Sequence, residues 1–435
     1  MPHTLKDVLP ATARVNDEGH LEIAGADAVA LAEEFGTPLY AFCEQTFRER
    51  ARAYRSAYPD GDVYYAGKAF LCLGMARLVA EEGLSLDVAS GGELFTALHA
   101  GFPPERIMAH GNNKTDEELA MAVAAGVGRI AADSIEELGR IDAIAAGQGV
   151  RQRVLLRVTP GVEAHTHEYI MTGQEDSKFG MSIEGGVALE AAKRARDLPN
   201  VEPAGYHAHI GSNITGAEAF LRTAEIMAEF CGTVRDAVGI EPRELNLGGG
   251  LGIAYTRGEF PARVDAIATE TRAKVAAEMA RFGLPMPRLA VEPGRWLISN
   301  AMVTLYRVGV VKDVPGIRTY VSVDGGMSDN IRPALYGARY EALLASKATE
   351  PSDKIVTIAG SHCEQGDLLI KDVALPSSIA RGDVLAIPAT GAYGYSMASN
   401  YNRFRKPAVV AVRDGIARVL VRRESYEDLI DHDEP

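Results

Sequence analysis

Between about residues 60 and 295, short apolar runs alternate with longer stretches in which alanine, leucine and charged residues recur at helical spacing. The runs read as strands: Val63–Lys68, Ser85–Ser90, Arg106–Gly111, Arg129–Ser134, Arg153–Pro160, Glu202–Ser212, Glu244–Gly250 and Arg288–Gly294. Between them the spacing predicts helices over Leu71–Glu82, Gly92–Ala100, Thr115–Ala125, Ser134–Ala146, Gly186–Asp197, Ala217–Val238 and Ala262–Phe282. Eight strand–helix units in strict alternation predict an α/β chain closed as a (β/α)8 TIM barrel, and a doubly wound sheet is the alternative architecture. The expected strands end on small or polar residues, namely Lys68, Ser90, His110, Ser134, Thr159, His209, Gly248 and Glu292. Barrel active sites form at the C-terminal strand ends, so Lys68, His209, Gly248–Gly250 and Glu292 are expected at one mouth.

After about residue 295 the periodicity changes. Val303–Val311, Arg318–Val323, Lys354–Ala359, Val384–Ile387 and Ala408–Arg413 are β-like and are separated by Gly, Pro, Asp and Ser turns. This predicts a C-terminal antiparallel β domain over 296–435. The barrel is expected over 41–295, and residues 1–40, with the β-like piece His20–Ile23, are expected to join the β domain.

Composition narrows the partners. The chain has 435 residues, 47% hydrophobic, with a formal charge of −14 and a pI near 5.3. An acidic surface argues against nucleic acid and anionic membranes. Cys43, Cys72, Cys231 and Cys363 are scattered, with no CxxC pair, which suggests neither a disulfide framework nor a zinc cluster. The first ten residues carry no apolar signal core, and no apolar run approaches membrane-spanning length, so a soluble cytoplasmic protein is expected.

Several groups stand out chemically. Lys68 lies among aromatic and small residues, a setting in which an ammonium loses its proton and forms Schiff bases; a plain surface lysine is the alternative. His207 and His209 share one strand face, and three readings compete: buried structural histidines, a metal pair with Asp87 or His110, or an imidazole stacked on a flat ring. The glycine run Gly248–Gly250 permits backbone N–H groups to turn toward an anion, or serves a tight turn. Glu292 is placed to keep a pyridine nitrogen protonated, or else pairs internally with Arg295. Farther on, Asp324-Gly325-Gly326 is followed by Arg332 and Tyr336, a guanidinium and a phenol suited to a carboxylate. Ser361–Asp367 is dense in titratable groups, with Cys363 either reactive or inert. Gly391–Tyr395 is an aromatic, flexible stretch.

With those parts in place, the chain resembles the fold-type III pyridoxal-phosphate decarboxylases. The stretches that carry this are YAGKA, LDVASGGEL, GVEAHTHEYIMTGQEDSKFGMS, HAHIGS, LNLGGGLGI, VEPGRW, VDGGMSDNIRPALY, HCEQGD and GAYGYSMASNYN. The third and seventh are similar to the diaminopimelate decarboxylases rather than to ornithine or arginine decarboxylases. The resemblance implies an alanine-racemase-like barrel with a β domain, working as a homodimer on pyridoxal 5'-phosphate and converting meso-2,6-diaminopimelate to L-lysine. By that resemblance Lys68 would carry the cofactor and His209 would stack on its ring. Asp87, Ser212, Gly248, Gly249, Gly250, Glu292, Pro293, Gly294, Arg295 and Tyr393 would help to hold the cofactor. Arg295, Arg332, Tyr336, Glu364 and Tyr393 would bind substrate, and Cys363 would be the catalytic acid, supplied with Glu364 to the other subunit. Asn213 and Gln365 depart from the residues usual in the family, which leaves fine substrate preference open. A related decarboxylase or racemase for another amino acid, and a metal-dependent barrel hydrolase using His207 and His209, are the rival readings. The polar stretch 165–177 is a candidate lid.

Overall fold

The computed structural model describes residues 5–162 and 177–434. The lid stretch lies outside them except for its last residue. By internal contacts the chain divides into two compact units. One is Ala51–Gly252 with Ala262–Gly294; the other is Met1–Arg50, Ile253–Pro261 and Arg295–Pro435.

The first unit is a parallel barrel. Its strands are β1 (Asp62–Ala66), β2 (Ser85–Val88), β3 (Ile107–Ala109), β4 (Arg129–Ala132), β5 (Gln152–Thr159), β6 (Val201–His207), β7 (Glu244–Asn246) and β8 (Arg288–Val291). They pair in sequence order, β8 pairs with β1, and every pairing is parallel, so no edge is left open. The expected helices are present within a few residues, as at Ile135–Gln148, Glu218–Val238 and Val264–Arg281.

Several strands stop earlier than the apolar runs suggest. Ser90 and Ser134, read as strand ends, are helix N-caps whose hydroxyls accept the N–H groups of Glu93 (3.2 Å) and Glu137 (3.1 Å). The sequence around Lys68 leaves β1 at Ala66 and makes a 3-10 turn over Gly67–Ala69.

Register stacks the barrel interior in layers, because in-register residues of parallel strands face the same side. The lowest layer is ionic: Arg129 bonds Glu244 at 2.6 and 2.8 Å, and Arg288 bonds Asp62 at 2.8 Å through both guanidinium donors. Tyr64, Met108, Ala131, Leu155, Ala204 and Ala290 form a buried apolar cluster above it. The top layer is polar again. Arg157, His207 and Asn246 are register partners, and Glu292 follows Asn246's partner Ala290 by two residues. Gly205 is required at the bulge in β6, where a Cβ would lie 1.8 Å from the Glu244 carbonyl oxygen.

In the second unit a nine-stranded sheet is organised around Met302–Val314. The first half of that strand pairs antiparallel with Leu39–Cys43 and Val384–Pro388, the second half with Arg318–Val323. The sheet is mixed rather than antiparallel. Leu39–Cys43 pairs parallel with Ala408–Arg413, and Arg318–Val323 pairs parallel with Lys354–Ala359. These partners are far apart in the chain or joined by a long crossover, so no hairpin dictates their direction. The expected boundary at residue 41 falls inside the strand Leu39–Cys43. All five of its residues are buried, and Leu39, Ala41 and Cys43 share a core with Leu21 and Ile23. Among the described residues no helix is long and apolar enough to cross a membrane.

Candidate active site

The top layer of the barrel gathers acids and bases that strand parity aims inward. Glu292, just past β8, accepts hydrogen bonds from His110 Nε2 (2.8 Å), Asn246 Nδ2 (2.7 Å) and His207 Nε2 (3.1 Å). Burial alone would raise its pKa. The two imidazoles and the hydrogen bonds they donate instead hold it well below the usual carboxylate range. The imidazoles divide the charge unequally. Burial opposes the protonation of both, yet Glu292 and Asp87 raise His110 above the ordinary histidine value. In His207 burial wins and the pKa falls to about 4. Asp87, on β2, is buried with its carboxylate 4.0 Å from His110, and burial raises its pKa. Arg157 completes the layer, with its guanidinium 4.4 Å from the centre of the Phe179 ring.

His209 lies two residues past β6. Its Nδ1 accepts the Gly249 N–H at 3.2 Å, which assigns the ring proton to Nε2. Burial, then Lys68 and Arg157, push its pKa well below the ordinary value, so the ring is neutral. Lys68 is exposed at this end of the barrel, close enough to act on both His209 and Asp87.

Part of the glycine run is already engaged within the protein. The Gly248 N–H donates to Asn246 (2.8 Å) and the Gly249 N–H to His209, so two of the three amides serve the protein itself. What the run provides is close approach. Gly248 and Gly250 have φ of 69° and 112°, and a Cβ on Gly249 would stand 2.0 Å from the Glu292 carbonyl oxygen. The Gly250 carbonyl accepts the Ile214 N–H (2.8 Å), tying the run to the loop that holds Ser212. Pro293 accepts the Ala66 N–H at 3.1 Å, and a Cβ on Gly294 would meet Ala66 at 3.0 Å. Gly249→Ala is therefore expected to displace Glu292 and weaken cofactor binding by roughly tenfold to a hundredfold. A titration of cofactor absorbance measures this.

His207 and His209 do not face a common point. His207 bonds Glu292 and its ring packs 4.8 Å from that of His110, whereas His209 turns to Gly249. One side-chain atom each of His110, His207 and Glu292 lies within 4.8 Å of the others, and both imidazoles bond the Glu292 carboxylate.

The residues fit pyridoxal phosphate. A lysine amine, a neutral flat imidazole, an ionised carboxylate and a glycine turn that admits no Cβ occupy successive strand ends of one barrel.

The β unit carries the remaining candidates. Arg295 opens a short helix, Arg295–Ile298, and Arg332 and Tyr336 bracket another, four residues apart and so on one face. Arg295 and Arg332, each 7% exposed, both donate to the Tyr255 hydroxyl, and the Arg295 guanidinium lies 5.0 Å over the Tyr393 ring. Cys363 and Glu364 stand on an exposed turn, with the Cys363 N–H donating to Asn402 (3.1 Å) and the Tyr401 hydroxyl 3.5 Å from Glu364. Arg157, Asn246 and Tyr255 were not singled out in the sequence. The signal for Arg157 was there: one charged residue inside the apolar run of β5.

Comparison with known proteins identifies the family. Residues 44–299 match the family of pyridoxal-dependent decarboxylases, pyridoxal binding domain. Diaminopimelate decarboxylase of Bacillus subtilis is 48% identical over 431 residues, covering 98% of each chain. The crystal structure of diaminopimelate decarboxylase from M. jannaschii in complex with L-lysine superposes with a TM-score of 0.91 at 35% identity, covering 98% of each chain. That of the Helicobacter pylori enzyme with L-lysine has a TM-score of 0.85 at 31% identity, covering 92% of this chain and 98% of that one. The chain belongs to the diaminopimelate decarboxylase family of pyridoxal-dependent decarboxylases.

Proposed function

We propose that this enzyme decarboxylates meso-2,6-diaminopimelate to L-lysine and carbon dioxide with pyridoxal 5'-phosphate as cofactor. The observation that carries the substrate choice is the pair of buried guanidiniums, Arg295 and Arg332, held among tyrosines. Such a pair suits a substrate that keeps a carboxylate at the end remote from the chemistry.

Bound pyridoxal phosphate supplies a conjugated cationic ring that accepts the bonding electrons left when carbon dioxide departs. Lys68 is the residue whose amine would carry the cofactor. Glu292 holds a proton at the pyridine nitrogen, for which its own ionisation, maintained by His110 and His207, is the requirement. His209, uncharged, would stack on the cofactor ring without adding charge beside it. Ser212 and the Gly248–Gly250 turn hold the phosphate end, and Asp87 sets the charge beside Lys68 and His110. Arg295, Arg332, Tyr336 and Glu364 read the far ammonium and carboxylate, with Tyr393 beside Arg295. Each charged contact left unmade costs roughly 1.5–3 kcal/mol, which is why lysine and ornithine, lacking the second carboxylate, are rejected. Cys363 returns the proton to Cα.

A panel of meso-diaminopimelate, lysine, ornithine and arginine tests this reading. Decarboxylation of meso-diaminopimelate is expected to be favoured in kcat/KM by roughly 1,000-fold or more. Comparable turnover of ornithine or lysine would refute the substrate assignment.

The exposure of Cys363 and Glu364 supports a homodimer in which they serve the partner's site. Cys363→Ala is expected to lower turnover about 100-fold or more while cofactor absorbance persists. Mixing Lys68→Ala with Cys363→Ala protein is expected to restore part of the activity; no recovery after verified subunit exchange would rule out a shared site. A reducing cytoplasmic setting keeps such a thiol free.

A further inference from the structure

Residues 253–261 follow the glycine run of the barrel in sequence yet pack with the β unit. Polar contacts fix them there. Asn300 Nδ2 donates to the Ala254 carbonyl (3.0 Å) and the Glu341 carboxylate accepts the Arg257 N–H (3.0 Å), while within the segment the Glu259 carboxylate accepts the Tyr255 N–H (2.8 Å). The segment thereby presents one buried phenol, that of Tyr255, 8% exposed.

The Tyr255 hydroxyl oxygen is shared between two cations. It accepts a hydrogen bond from Arg295 Nη1 and another from Arg332 Nη1 at 3.1 Å. Arg332 Nη1 also donates to the Tyr340 oxygen at 2.5 Å, and the Tyr340 ring stands edge-on to Tyr255 with centroids 5.5 Å apart. Each guanidinium also lies near the Tyr255 ring, at 5.8 Å for Arg295 and 5.0 Å for Arg332.

Two buried like charges repel, and a pair left to itself separates. A carboxylate between them would hold them together but would cancel the charge they offer a ligand. A phenol oxygen holds them and leaves both charges in place. The field of the pair registers on the phenol: burial alone would raise its pKa, and the two guanidiniums bring it below the ordinary tyrosine value.

We propose that Tyr255 is a positioning residue for substrate selection, its hydroxyl clamping Arg295 and Arg332 into one receptor for the distal carboxylate. This rests on the function proposed above and adds the residue on which that receptor's geometry depends. Tyr255 touches the arginines and not the reacting bonds, so its loss acts on recognition of the carboxylate and not on the chemical step.

The test uses cofactor-loaded wild-type and Tyr255→Phe enzyme with two ligands, L-lysine and cadaverine. These share both amines and differ by the one carboxylate. In Tyr255→Phe, lysine affinity is expected to fall roughly tenfold or more while cadaverine affinity stays within about twofold. KM for meso-diaminopimelate is expected to rise by a similar factor with kcat within about threefold. Equal weakening of both ligands, or of neither, would overturn the proposal. If Tyr255→Phe does not fold, a crystal structure of the wild-type holoenzyme with lysine decides: the carboxylate must bond both arginines, and one bound elsewhere overturns it. A wild type that binds lysine yet makes none from meso-diaminopimelate refutes the proposed function instead, and the lysine–cadaverine contrast remains readable.

Discussion

Lys68→Ala is expected to abolish turnover and, with it, the visible absorbance of the lysine-bound cofactor. The argument starts from the turn that presents the residue. β1 releases the chain at Ala66, and Gly67 allows the turn to lie against the Asp87 carbonyl, where a Cβ would come within 2.8 Å. The neighbours Gly67 and Ala69 are buried while Lys68 is exposed, so the turn itself is anchored and only the amine projects. Lys68 is exposed, so the barrel is expected to fold as before without its amine. What is lost is the proposed nucleophile, and among the described residues no other lysine directly follows a barrel strand; Lys114, five residues past β3, is bound to the Glu137 carboxylate and to two carbonyls. Full turnover in Lys68→Ala, without added amine, would refute the assignment.

Glu292→Gln is expected to lower kcat by roughly 100-fold or more, with KM changed far less. The substitution keeps the shape and removes the charge. In the native protein two imidazoles and an amide converge on this carboxylate, and it acts with Asp87 to raise the His110 pKa against burial. With a neutral amide there, the pyridine nitrogen loses its anionic partner and His110 loses the larger of the two carboxylate influences that raise it. The cofactor's absorbance spectrum should shift even before substrate is added, which separates an electronic effect from a loss of binding. A kcat within a few-fold of wild type would show that Glu292 does not govern the ring's charge.

Much of the fold was legible because a parallel barrel leaves an unusually regular trace. Its strands are buried on both faces and read as continuous apolar runs, and its helices fall between them at even intervals. The ends were less legible. Ser90 and Ser134 look like the last strand residues but cap helices, because a serine side chain serves either place and only the backbone tells which. Leu39–Cys43 was not recognised as a strand of the β sheet, since its partners lie more than 250 residues away. In the site, groups at strand ends could be picked out, but the company they keep could not. That Glu292 is held by His110, His207 and Asn246 depends on the register of four strands, which no local pattern encodes. Tyr255 is the clearest omission. Nothing in the stretch around it suggests that its hydroxyl joins two arginines 40 and 77 positions away.

The central claim is tested most directly by incubating the purified enzyme with meso-diaminopimelate, with and without pyridoxal phosphate, and measuring L-lysine and carbon dioxide together. Equal amounts of both, dependent on the cofactor, are the predicted result. A cofactor-loaded enzyme that releases neither from meso-diaminopimelate, yet decarboxylates another amino acid, would contradict it.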